Sequence, residues 1–134
     1  MMPQLFNQTP FVPEEHYHLL VDWWTKRGWP VIPVESLPRT GFVFSQSGIP
    51  LLVGFVLIDR PWAMIELFVS NPETSQITNV RCLVNMFDFF LKLLKHLGCT
   101  TVITICKDDT LVRFTKKLGF ATGDENVTHM VARL

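Results

Sequence analysis

The chain has 134 residues, 48% of them hydrophobic and 18% charged, and its 12 basic and 12 acidic side chains balance to a formal net charge of zero. That length suits a single domain able to bury a core without staples, and the apolar excess is the opposite of a disordered composition. The balanced charge excludes the strongly basic footprint of a nucleic-acid binder.

Residues 1–13 are expected to form an irregular arm. Pro13-Glu14-Glu15 then opens a helix, with proline in the first turn and acids at the positive end. Tyr17, Leu20, Val21 and Trp24 share one face, and Gly28 and Pro30 end it. Residues 35–37 form one further short turn. A strand is predicted at 41–45, followed by a Ser47-Gly48 turn. Residues 51–58 are a continuous apolar run, as in a strand covered on both faces. Asp59-Arg60-Pro61 makes the next turn, and 62–70 is another strand, ended by Asn71-Pro72. A long helix is predicted over 79–97, with Leu83, Met86, Phe87, Phe90, Leu94 and Leu97 on one face and Gly98 as its stop. Residues 101–106 are β-branched and read as a central strand. Asp108 or Asp109 caps a helix running to Leu118, and the alternating residues 127–134 are predicted to close the chain as a strand. Hairpins followed by a crossover imply a single α/β (α+β) domain over 1–134: a mixed, mostly antiparallel twisted sheet with helices on both faces.

The three cysteines, Cys82, Cys99 and Cys106, have no C-x-x-C spacing, so neither a disulfide framework nor a metal site is expected; free thiols suit a cytoplasmic protein. Met1-Met2-Pro3-Gln4 has no basic region ahead of an apolar run, so no signal peptide is expected, and the run 49–58 is too short to span a membrane. His16 and His18 are two apart and do not share a helix face, which argues against a metal pair. His129 reads as a surface residue on the last strand. Cys106 beside Lys107 reads as a small core residue rather than a nucleophile. Trp23, Trp24 and Trp62 read as core, and Trp29, between Gly28 and Pro30, as exposed or at an interface.

Two stretches carry a family resemblance. Phe68-Val69-Ser70-Asn71-Pro72-Glu73 is similar to the strand end that precedes the phosphate loop in the GNAT (GCN5-related N-acetyltransferase) superfamily. Residues 108–120, Asp-Asp-Thr-Leu-Val-Arg-Phe-Thr-Lys-Lys-Leu-Gly-Phe, resemble its N-x-x-A-x-x-L-Y-x-K-x-G-F helix, with Lys117, Gly119 and Phe120 matching. The element order from about Glu14 onward agrees. Asp22-Trp23-Trp24 through Gly28-Trp29-Pro30, Val69-Ser70-Asn71-Pro72 and Thr128-His129-Met130 further resemble small GNAT-type proteins of tailed bacteriophages, which would place the protein in the host cytoplasm.

The resemblance implies acetyl-CoA as the acyl donor, with no metal, and a small-molecule or protein amine as acceptor, with no nucleic-acid or membrane partner. Pairing through an edge strand into a homodimer is a further implication. Phe68, Val69 and Ser70 would lie against the pantetheine, and Ser75, Gln76, Ile77, Thr78, Asn79 and Val80 at the diphosphate, with Asp108 at the family's asparagine position. CoA would run between the strands ending near Ser70 and Cys106. Two departures matter. Thr78 and Val80 stand where the family's R/Q-x-x-G-x-G/A loop has glycines, and Ser75 where it has Arg or Gln. Thr115 stands where the family's tyrosine often protonates the departing thiolate, and a threonine hydroxyl is too weak an acid for that task. Glu66 is the candidate base, a carboxylate in an apolar strand; the competing reading turns it to solvent or to Arg60. Three functions follow: an N-acyltransferase, a non-catalytic or virion-associated binding module on the same fold, and a regulator gripping a host protein through a Trp-rich face.

Overall fold

The computed structural model describes residues 5–134, so the expectation drawn from Met1 to Gln4 lies outside the described residues. In chain order the elements are β1 (Asn7–Pro10), α1 (Pro13–Lys26), a 3-10 turn (Val34–Ser36), β2 (Thr40–Gln46), β3 (Ile49–Asp59), β4 (Trp62–Ser70), α2 (Gln76–His96), β5 (Thr101–Thr104) and α3 (Asp109–Lys117). The strands form one sheet in the order β1-β2-β3-β4-β5. Its first three pairings are antiparallel, and β4–β5 is parallel across the α2 crossover. This is the mixed, mostly antiparallel sheet expected from the hairpins and the crossover.

Each face of the sheet carries its own core. Under α2 lie Phe44, Leu52, Ile65, Met86, Phe87 and Phe90. Under α1 lie Leu20, Trp23, Trp24, Val53, Phe55 and Val69. Strand β3 serves both: Leu52 and Val56 enter the first core, Val53 and Phe55 the second, which is why it reads as an unbroken apolar run. Side chains of α2 press directly on Gly54, where a Cβ would fall 2.5 Å from Met86 Sδ and 3.2 Å from the Phe90 ring. Helix α1 has no side-chain cap from Val12; instead the Val12 N–H donates to His16 Nδ1 at 2.9 Å.

Three expectations are corrected, the first being Trp62, which is 51% exposed rather than core. The arm over 1–13 is not irregular throughout: β1 pairs with β2 in the register Asn7↔Ser45 to Pro10↔Phe42, with Pro10 at its end, where a missing N–H costs least. Residues 127–134 form no strand. Alternation specifies a strand only where a partner and a face to bury exist. Here Met130 is 84% and Val131 74% exposed, so His129 lies in exposed coil. Among the described residues no helix is long and apolar enough to cross a membrane.

Gly54→Ala is expected to cost about 1–3 kcal/mol by overpacking against α2, read as a lower urea midpoint with unchanged slope. Burial pushes the Cys82 thiol up from 9.0 to about 12. Because the folded pKa is raised, this group costs nothing below pH 9 and removes stability as pH climbs through that window. The stability gap between wild type and Cys82→Ala should therefore narrow between pH 9 and 12 in urea titrations.

Candidate functional site

The site starts where two strands part. The β4–β5 ladder runs from Trp62↔Thr101 to Ile65↔Thr104 and stops there. Thr104 Oγ1 donates to the Ile65 carbonyl at 3.0 Å at the point of divergence. On the other side of β4 the register slips: Phe55 faces Glu66 and Val53 faces Val69, so Gly54 opposes both Leu67 and Phe68. This bulge holds Leu67 at φ 57°, a left-handed conformation a leucine adopts only under constraint. It sends Leu67 to the α1 core and Phe68 to the α2 core, where the Phe68 and Phe87 rings meet edge-on at 5.7 Å. From Glu66 to Ser70, β4 has β3 on one edge and no strand on the other.

A cavity of about 580 Å³ lies beside that open edge. Of the residues expected to hold the acyl donor, Phe68, Val69, Ser70, Gln76, Asn79 and Val80 line it together. Arg27, Trp29, Leu52 and Leu83 complete the wall. Phe68 forms part of the wall, and Ile77 is 68% exposed.

The turn from β4 to α2 is built by Asn71 rather than by glycine. Its amide nitrogen Nδ2 donates to the Pro50 carbonyl at 3.0 Å, and its Oδ1 accepts from the Glu73 N–H at 3.0 Å. Ser75 caps α2, accepting from the Thr78 N–H. That cap consumes an amide that a glycine-rich loop would offer to an anion. Asn79 Nδ2 reaches the Thr74 carbonyl at 3.4 Å, while its Oδ1 is buried with no partner. Lys26 links α1 to the turn: bonds to Glu73 and then Asp22 hold its pKa above the usual 10.5.

Glu66 is half-buried and not paired with Arg60, whose guanidinium donates to the Leu97 carbonyl instead. Its Oε2 is buried without a hydrogen-bond partner, an arrangement that native folds keep rare. Glu66, Ser75, Ile77, Thr78, Asp108 and Thr115 are not part of the cavity wall. Asp108 Oδ1 accepts from the Leu111 N–H at 2.8 Å and so caps α3. Thr115 is buried, and its hydroxyl donates to the Leu111 and Val112 carbonyls of its own helix. The Cys106 thiol lies 3.7 Å from that hydroxyl.

The sequence did not single out Arg27 or assign Lys107 a binding role. Arg27 Nη2 donates to Ser70 Oγ at 2.8 Å, and the guanidinium lies 5.3 Å from the centre of the Trp29 ring. Lys107 Nζ lies 5.9 Å from the same ring. Trp29 itself is 48% exposed, as its Gly-Trp-Pro setting implied.

No family model matches the sequence, and no curated protein matches it. Solved structures do match the fold. Glucosamine-6-phosphate N-acetyltransferase from Arabidopsis thaliana superposes with a TM-score of 0.68 at 14% identity, over 96% of this chain and 100% of that one. Ard1 from Thermoplasma volcanium gives 0.67 at 17%, over 89% and 84%. An aminoglycoside N-acetyltransferase in complex with CoA gives 0.61 at 11%, over 96% and 100%. At these identities the likeness is one of fold, and the fold is GNAT-like.

Both helix caps should be worth measuring separately from any ligand. Ser75→Ala and Asp108→Ala are each expected to cost about 1 kcal/mol in urea unfolding, as loss of a side-chain N-cap does.

Proposed function

We propose that the protein is an N-acyltransferase that moves an acetyl or related acyl group from acyl-CoA to an amine. The open β4 edge beside the cavity carries this reading. It leaves backbone donors free past the bulge, next to a space whose volume falls within the roughly 300–1,000 Å³ usual for small-molecule sites. The fold neighbours include glucosamine-6-phosphate and aminoglycoside acetyltransferases, which supports an amine as the acceptor class.

The donor fits the lining. Phe68, Val69 and Ser70 offer a strand edge to the pantetheine, and Gln76, Asn79 and Val80 flank its diphosphate end. Unpaired amides along that edge polarise the thioester carbonyl and stabilise the oxyanion formed when the amine attacks. Glu66, just before the bulge, removes the proton that the attacking nitrogen must lose, directly or through one water. The carbon–sulfur bond then breaks and the thiolate departs. Thr115 is not assigned to this step, because its hydroxyl is committed to its own helix. A thiol with a pKa of about 8.5 leaves as thiolate without a dedicated acid near neutral pH.

A second reading, a non-catalytic binding module, draws on the same turn: Thr78 and Val80 replace the glycines, and the Ser75 cap occupies the Thr78 amide. Calorimetric titration with acetyl-CoA separates the two. Micromolar binding supports the acyltransferase; no binding at millimolar ligand rejects it in favour of the module. Thr78→Glu should keep α2 folded, since an acid suits the first turn, yet abolish acetyl-CoA binding by repulsion. Glu66→Gln should lower kcat/KM by about 10²–10⁴-fold while leaving the acetyl-CoA Kd unchanged. Equal loss of binding and turnover would remove Glu66 from the role of base.

A further inference from the structure

Arg27 and Lys107 come from distant parts of the chain and converge on one indole. Arg27 follows the last residue of α1, and Lys107 lies between β5 and α3. Both approach the Trp29 ring within 6 Å, at 5.3 and 5.9 Å. Among the described residues neither has a carboxylate partner. Lys26, next to Arg27, shows the contrast: it is held by Asp22 and Glu73. Two unneutralised cations gathered on one ring repel each other, and an anion between them converts that repulsion into attraction. Only one of the guanidinium's five N–H groups is drawn to Ser70, and the side chain lines the same cavity as Gln76 and Asn79.

Position along β4 identifies the anion. Ser70, which holds Arg27, lies four residues beyond Glu66 on the same strand, a span of at most about 13 Å at full strand rise, shortened by the bulge at Leu67. In an acyl-CoA the thioester and the diphosphate sit at opposite ends of the pantetheine arm, a separation of the same order. With the thioester at Glu66 and the bulge, the diphosphate falls at Arg27.

We propose that Arg27 and Lys107, grouped about Trp29, bind the diphosphate of the acyl donor and replace the amide cradle that Thr78 and Val80 do not provide. This rests on the acyltransferase reading. A guanidinium suits the task because it meets phosphate oxygens two at a time. The anchor has thus moved from the turn after β4 to the end of α1 and the start of α3.

The test titrates two donors into wild type, Arg27→Ala, Arg27→Lys and Lys107→Ala: acetyl-CoA by calorimetry, and S-acetylpantetheine, which has no diphosphate, by NMR at millimolar concentration. Arg27→Ala should weaken acetyl-CoA at least tenfold, Arg27→Lys and Lys107→Ala less, with S-acetylpantetheine unchanged in all. The salt dependence of acetyl-CoA binding should flatten in the alanine variants. Unchanged acetyl-CoA affinity in both alanine variants overturns the assignment and leaves the cations to the acceptor. Equal loss of both donors also overturns it, since it reports a collapsed cavity rather than a lost diphosphate contact. Lys107 is exposed, so its variant carries the test if Arg27→Ala does not fold. A wild type that binds neither donor rejects the acyltransferase reading itself, an outcome distinct from the other two.

Discussion

Everything at this site depends on where β4 stops bonding to β5. A parallel ladder that continued past Ile65↔Thr104 would satisfy the outer edge of β4 and leave no donors facing the cavity. Two local features hold the ladder short. The Thr104 hydroxyl ties the last pair to the Ile65 carbonyl. Immediately afterwards the bulge opposite Gly54 turns the backbone of β4, at the expense of a leucine in the left-handed region, a strain of order 1–3 kcal/mol. That strain persists because both neighbours of the kink are anchored in opposite cores, Leu67 under α1 and Phe68 under α2.

The same geometry explains the absence of side chain at Gly54. The bulge places two residues against one on β3, and α2 packs directly over that one, with Met86 and Phe90 filling the space a Cβ would take. The seat of α2 on the sheet, the kink in β4 and the open edge are therefore one arrangement. The turn after β4 can accordingly be built from Asn71 and Ser75 without glycine, because the position of α2 is fixed by its contact with β3 and not by the turn.

Most of the fold was legible because its signals are local. The apolar run of β3, the Pro13-Glu14-Glu15 start of α1, the one-sided face of α2 and the Asp108 cap of α3 each act over a few residues, and the elements lie where those patterns put them. Phe68, Val69, Ser70, Gln76, Asn79 and Val80, singled out through family resemblance because they flank a recognisable strand end, share one cavity wall, whereas Ser75, Ile77 and Thr78 from the same stretch do not line it. What failed was non-local. Residues 127–134 alternate but have no sheet edge to join, and residues 7–10 show little apolar pattern yet pair because β2 offers them an edge. Thr115 matched a motif position, but only packing revealed that its hydroxyl is spent on its own helix. Arg27 and Lys107 gave no signal, because nothing in either neighbourhood records that both reach Trp29.

The connections between strands bear on the order in which the cavity can be assembled. Strands β2, β3 and β4 follow one another through tight turns, so their pairing closes only short loops. The flanking elements arrive differently: α1 sits within the long excursion between β1 and β2, and β5 is delivered only after the whole of α2. Loop closure costs entropy before distant contacts repay it, and such contacts form slowly. The contacts of the meander therefore close at the least entropic cost. A molecule caught with its central hairpins formed and its flanking segments still loose would already hold much of its secondary structure, yet its cavity would lack the wall that Arg27 and Trp29 supply.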